Sequence, residues 1–324
     1  QAAALLTALE NRQPVDHLPG IITLQGPFLP SPPLQNVPHR NMDPKYAHLE
    51  YYLGHGGMLN LQTKRGCPFR CAYCTYPAIE GRRMRLIPPA EIARTAVALE
   101  KAGARYLFIT DSSFNADTQH SRAVARAFQK AGLSIPWGAF FTPLKPPDGY
   151  YPELAASGLS HVEFGTDALS DPVLAAYGKP FTAGQVFTAH HQAVAAGLHV
   201  AHYFLLGGPG ETRQTLDETL NHIDTLRKTV LFLFCGMRVY PHTALFHQCA
   251  DNGHIEAFNG RLGAEFLDEH WSVSLADVQD RVEQWRMDYD ANRPHGALAV
   301  SYTHLTLPSK WRWWGGGGGG GGGG

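Results

Sequence analysis

Thr63 to Pro77 reads TKRGCPFRCAYCTYP and sets Cys67, Cys71 and Cys74 with three residues in the first gap and two in the second. Spacings this short bring several thiolates to one metal centre with little help from the rest of the chain. Thiolates are soft ligands that favour iron–sulfur clusters or zinc. A closed structural zinc site takes four ligands, and this stretch offers three. His55 lies twelve residues upstream and Cys235 far downstream, so neither completes a local knuckle. A cubane held by three cysteines leaves one iron open, and an open coordination position marks a catalytic metal. The alternatives are a zinc site or plain buried cysteines.

Four later stretches carry groups able to hold a ligand. TDSSFN, from Thr110 to Asn115, offers Asp111 and Ser112 as acceptors, or else a strand-end Asx turn. HVEFGTD, from His161 to Asp167, offers Glu163, or Thr166 with Asp167. Glu163 and Gly165 share one face of a strand and Phe164 takes the other. A carboxylate inside a barrel is costly unless it is paired or bound to a ligand, so Glu163 reads as functional or as half of a salt bridge. In FLLGGPGET, Gly207, Gly208 and Gly210 let backbone approach a ligand closely. Glu211 falls in the first turn of the next helix, where negative charge suits the dipole. GMRVYPHT supplies Arg238 for a carboxylate and Tyr240 for stacking on a base or closing a mouth; an ordinary salt bridge is the alternative for Arg238. Lys64, Arg65, Arg70, Arg82, Arg83 and Arg85 surround the cysteines, and a three-thiolate cluster carries negative charge that such cations offset. A solvated basic loop is the plainer reading.

The cysteine spacing, with Tyr73 just before the third cysteine, resembles the signature of the radical S-adenosylmethionine superfamily. The resemblance implies a 4Fe-4S cluster on Cys67, Cys71 and Cys74, which are at once the metal ligands and the catalytic centre. It implies S-adenosylmethionine on the open iron, cleaved by one electron to a 5′-deoxyadenosyl radical. It also implies cofactor-binding roles for Tyr73; for Asp111 and Ser112 at the methionine amino group; for Glu163, Thr166 and Asp167 at the ribose; and for Gly207, Gly208, Glu211, Arg238 and Tyr240 around the adenine and methionine moieties. Asp111 and Ser112 stand where the superfamily often has a GGE-type turn, a departure from its usual form. Taken together, the motifs look most like members with an upstream cobalamin-binding domain, some linked to lipid or isoprenoid modification and to methyl transfer. Cobalamin is then expected in a longer parent protein, because this chain has no DxHxxG. The implied partners are a small-molecule or lipid-like substrate and a reducing flavodoxin or ferredoxin. Sulfur insertion or rearrangement is the alternative outcome, and a non-catalytic zinc- or cluster-binding module the alternative class.

Positioning these groups needs a scaffold, and the apolar pattern supplies one. From Met58 short apolar runs alternate with longer amphipathic ones. Strands are predicted near 58–63, 106–111, 135–141, 160–166, 199–206 and 231–239. Helices are predicted near 89–102, 118–131, 149–157, 171–177 with 183–196, 211–228 and 242–252. This rhythm defines an α/β fold, a partial (βα)6 TIM-like barrel of parallel strands. Chemistry gathers at the C-terminal ends of such strands, where the cysteine loop falls.

The expected organisation is a linker or remnant of an upstream domain over 1–44, the core over 45–253 and a C-terminal helical extension over 254–299. From about Val300 the chain runs into WRWW and glycine from Gly315 to Gly324, which reads as sequencing read-through or a flexible tail. The absence of an initiator Met suggests a fragment. Lys and Arg number 27 against 28 Asp and Glu, so no basic field argues for nucleic acid. No apolar stretch approaches the ~20 residues of a membrane span, and no transmembrane segment is expected. Five cysteines in 324 residues are no disulfide framework. Thiolate-held iron needs a reducing compartment, so the expected location is cytoplasmic.

Overall fold

The computed structural model describes residues 2–21 and 49–250. The first segment holds α1 (Ala2–Glu10). The second opens with α2 (Leu49–Gly56), ahead of the first predicted strand. Six strands then form one sheet, every pairing parallel: β1 (Met58–Leu61), β4 (Tyr106–Ile109), β5 (Trp137–Phe141), β6 (Leu159–Asp167), β7 (His199–Leu206) and β8 (Thr229–Cys235). They lie in chain order, as right-handed βαβ units dictate. Among the described residues β1 and β8 do not pair, so the barrel stays open. A short antiparallel pair, β2 (Lys64–Arg65) with β3 (Arg85–Leu86), brackets the cysteine loop together with α3 (Tyr76–Glu80).

The remaining helices are α4 (Pro89–Lys101), α5 (Thr118–Ala131), α6 (Tyr150–Ala156), α7 (Asp171–Ala176), α8 (Ala183–Ala195), α9 (Arg213–Ile223) and α10 (Ala244–Ala250). Their ends follow local chemistry. Asp117 caps α5 by accepting from the His120 amide at 2.9 Å, and Gly132 closes it at φ 72°. Thr182 with Gln185 and Thr212 with Thr215 form reciprocal caps on α8 and α9. The expected strand 231–239 begins and ends earlier, because Gly236 at φ 86° breaks extended backbone.

Alternation sorts the sheet faces. Leu107, Ile109, Trp137, Phe141, Val162 and Phe164 pack outward against Ile92, Leu99, Val124 and Phe128 of α4 and α5. The other face carries rings and polar groups: Phe108 and Phe140 edge to face at 4.9 Å, and Tyr203 stacked on Phe232 at 4.7 Å. Phe232 and Phe234 are about two-fifths exposed.

Two buried histidines tie the sheet to α8. His202 Nδ1 meets Thr166 Oγ1 at 2.7 Å, and its Nε2 meets His190 Nδ1 at 3.0 Å. Burial, with His190 beside it, pushes His202 down from 6.5 to about 3; burial also lowers His190. Between those values the unfolded chain binds a proton that the native chain refuses. Stability therefore falls as pH drops from about 6.5 toward 3, by up to about 1.4 kcal/mol per unit. Urea midpoints at neutral and mildly acid pH should show this slope, and His202→Gln should flatten it. An unchanged slope in that variant would assign the acid sensitivity elsewhere.

Candidate metal-cluster site

The cysteine loop leaves the C-terminal end of β1 and is held from several sides. The Cys67 amide donates to Gly81 O at 3.1 Å and the Cys74 amide to Cys71 O at 3.2 Å. Ala72 donates to Tyr177 O at 2.8 Å and accepts from the Leu245 amide at 2.8 Å. Gly66 sits at φ 87° with Arg83 O only 2.2 Å from where a Cβ would stand, so the turn into Cys67 admits no side chain. Cys67, Cys71 and Cys74 are all free thiols. Burial raises Cys71 to about 11, Lys179 pulling the other way, and burial raises Cys74 too. Thiols this reluctant to ionise become thiolates when a metal displaces their protons.

Among the described residues, no three His, Cys, Asp or Glu side chains converge where a single ion could sit. A cubane makes a different demand, because each thiolate takes a separate iron and the sulfurs stand apart at its corners. Three free thiols on one clamped loop are the donor set it takes.

The predicted companions divide into groups. Asp111, at the end of β4, is spent on the loop itself. Its Oδ1 accepts from the Thr63 amide at 2.8 Å; its Oδ2 accepts from Thr63 Oγ1 and from Lys64 Nζ, the latter at 2.9 Å. Lys64 also donates to the carbonyls of Ser113 and Phe114 and is 1 % exposed. Ser112 donates to Gly66 O at 3.4 Å. Both Asp111 and Ser112 thus lie beside the cysteines, with the Asp111 carboxylate already occupied.

Asp167 ends β6 at φ 65°, a left-handed conformation that Asp tolerates better than most residues. Its carboxylate accepts from Tyr73 Oη and from Lys179 Nζ. Thr166 turns to the helix-covered face, fully buried against His202, so it does not share a ligand face with Asp167. Glu163 does face the ring-lined side, held by His161 Nε2 at 3.0 Å and Tyr203 Oη at 2.8 Å.

Gly207, at φ 81°, donates its amide to Glu211 Oε1 at 3.0 Å. Burial lifts Glu211 to about 7, the Gly207 amide and the Tyr177 hydroxyl drawing it partly back. A Cβ on Gly208 would meet Tyr177 Oη at 2.3 Å, so this glycine lets the turn close on Tyr177, whose carbonyl holds Ala72. Arg238 and Tyr240 are exposed and do not join the group. Of the cations around the loop, Arg65 and Arg85 pair with Glu80 at 3.4 and 2.9 Å, and Arg82 reaches Phe69 O at 3.4 Å.

Sequence reasoning missed Lys179 and the Tyr177–Lys179 strap. Lysines after a helix are usually solvated, so a buried one leaves no mark in composition or spacing.

A clamped thiol loop thus stands at the C-terminal ends of parallel strands, where chemistry gathers in such folds. Comparison with known families agrees: the Radical SAM superfamily matches residues 61–223, about half of the chain, and the chain belongs to that superfamily. The cofactors of the superfamily are a 4Fe-4S cluster and S-adenosylmethionine. An uncharacterized methyltransferase of Pyrococcus horikoshii is 26% identical over 188 residues, covering 56% of this chain and 41% of that protein. The fold is shared with TsrM of Kitasatospora setae, a radical S-adenosylmethionine methyltransferase solved with its tryptophan substrate and a cofactor analogue. The TM-score is 0.68 at 22% identity, over 78% of this chain and 52% of that one. The same enzyme has been solved with cobalamin and a [4Fe-4S] cluster. The chain thus spans about half the length of these relatives or less. A second family, the Integrase core domain, matches residues 238–301. A 47-residue stretch of the chain is 47% identical to a protein of insertion element IS407 from Burkholderia multivorans, covering 14% of this chain and 17% of that protein. The extension expected over 254–299 falls within the integrase match and lies outside the described residues.

Proposed function

We propose that this chain is the radical-generating core of a methyltransferase, with a 4Fe-4S cluster on Cys67, Cys71 and Cys74. The observation that carries this reading is the loop itself: three free thiols, clamped by Gly81, Tyr177 and Leu245, at the C-terminal ends of six parallel strands. When bound, the cluster and S-adenosylmethionine supply a one-electron cleavage that yields a carbon radical able to take hydrogen from an unactivated carbon. The chain's own groups do the rest. Glu163, on the inner face between His161 and Tyr203, is the proposed acceptor for ligand hydroxyls. Gly207 and Glu211 shape the turn that borders the loop.

Tyr203, Phe232 and Phe234 offer flat apolar surface on the same face, which supports a small, largely apolar substrate, lipid- or isoprenoid-type compounds among them. Methyl transfer is favoured over sulfur insertion by the methyltransferases it resembles. Cobalamin, bound in TsrM, is the proposed methyl carrier of a longer parent protein. A reduced flavodoxin or ferredoxin in the cytoplasm is the proposed electron source; no helix among the described residues is long and apolar enough to cross a membrane.

The test is anaerobic reconstitution with iron and sulfide, followed by S-adenosylmethionine and dithionite. Cluster-bound iron and release of 5′-deoxyadenosine are expected, with methylated product once methylcobalamin and an acceptor are supplied. Bound zinc with no cleavage would defeat the reading.

A further inference from the structure

A lysine ammonium is seldom buried, and Lys179 is 6 % exposed by side chain, against an Asp167 carboxylate at 5 %. Its surroundings are complete. Nζ pairs with Asp167, donates to Tyr73 Oη at 2.9 Å and to Gly165 O at 3.4 Å, and stands 5.3 Å above the Tyr73 ring. Tyr73 in turn donates to Asp167. It lies between Cys71 and Cys74 in the chain, so the triad is one side chain away from two thiols.

The backbone enforces this proximity. The strap Tyr177–Lys179 lies on the loop, its Tyr177 carbonyl taking the Ala72 amide at 2.8 Å. Gly178, at φ 67°, approaches so closely that a Cβ would stand 2.6 Å from Arg70 O. The Lys179 amide is tied back to Leu174 O at 2.9 Å. Asp167 accepts a left-handed φ of 65° at the end of β6, where its carboxylate meets the ammonium.

We propose that Lys179 is a positioning residue and fixed counter-charge for the cluster, held by Asp167 and Tyr73, and that this buried pair sets how readily the cluster accepts its electron. The inference rests on the reading that Cys67, Cys71 and Cys74 carry a 4Fe-4S cluster. Reduction adds one electron, taken in the test from dithionite or titanium(III) citrate, and moves no proton or heavy atom. The reduced form has one more negative charge, so a fixed cation nearby stabilises it more than the oxidised form. The lysine and the aspartate must then act with opposite sign.

The experiment is an EPR-monitored redox titration of the anaerobically reconstituted chain, with iron content and S-adenosylmethionine affinity measured alongside. For Lys179→Met the reduced-to-oxidised ratio at fixed potential should fall at least about tenfold, equal to 59 mV for one electron. Asp167→Asn should shift the ratio the opposite way, and Lys179→Arg should stay near the parent value. If Lys179→Met takes up no iron, that supports the positioning role, and the sign of the Asp167→Asn shift decides the rest. Unchanged potentials in Lys179→Met and Asp167→Asn would overturn the proposal. So would weaker S-adenosylmethionine binding at an unchanged potential, which would make Lys179 a cofactor contact. A parent chain without iron or a reduced-cluster signal would instead defeat the cluster reading, a separate failure.

Discussion

Replacing Cys67, Cys71 or Cys74 with Ala, one at a time, is expected to leave the reconstituted chain with background iron and no cleavage of S-adenosylmethionine. On the proposed cluster each thiolate would serve a different iron, so losing one would expose a second iron corner. Cys235, buried at the end of β8, is a free cysteine outside the loop. Cys235→Ala is the matched control and should retain parental iron. Iron and sulfide analysis with product chromatography reads both. A variant that kept full iron and full cleavage would remove its cysteine from the ligand set.

Lys64→Met should cost about 3–5 kcal/mol of folding stability, because it leaves the Asp111 carboxylate buried without its cation. Asp111 would keep its bonds to the Thr63 amide and hydroxyl, which sets the loss below that of a fully orphaned charge. The ammonium also organises the carbonyls of Ser113 and Phe114, and these would lose a donor. Urea denaturation of the parent, both single variants and the Lys64→Met, Asp111→Asn double variant gives the coupling directly. Substantial recovery in the double variant is expected. A loss under about 1 kcal/mol in Lys64→Met would show that this pair does not hold the loop. Because Lys64 opens the cysteine segment, iron retention should fall with stability.

The parallel sheet was legible because its signal is repetitive. Buried runs such as Val162 with Phe164 and Leu107 with Ile109 recur between helices that carry their own caps. The cysteine loop was legible because short spacing is itself geometry. What stayed hidden depends on contacts distant in sequence. Lys64 and Asp111 each read as site residues, a cluster cation and a cofactor acceptor; forty-seven residues apart, they turn out to neutralise one another. Thr166 and Asp167 read as one acceptor pair, but the pleat and the left-handed φ at Asp167 send them apart. Lys179 carries no local pattern at all. Helix α2 was missed because Gly54 and Gly56 lower helix propensity, while Leu49 is buried and anchors its first turn.

The match to the Integrase core domain bears on Arg238 and Tyr240, which fall inside it. Both are exposed. Iron uptake that survives Arg238→Ala would agree with a cluster held without that side chain.

The unjoined strands β1 and β8 have a consequence for the guest. A closed ring of strands fixes its bore through hydrogen bonds, and enlarging it means changing strand number or stagger. Here the aperture is bordered on one flank by β8, which carries the inner rings Phe232 and Phe234 and, among the described residues, pairs with β7 alone. Swapping those two rings for smaller or bulkier side chains would resize the chamber while the β1–β4 ladder beneath the thiols stayed as it is.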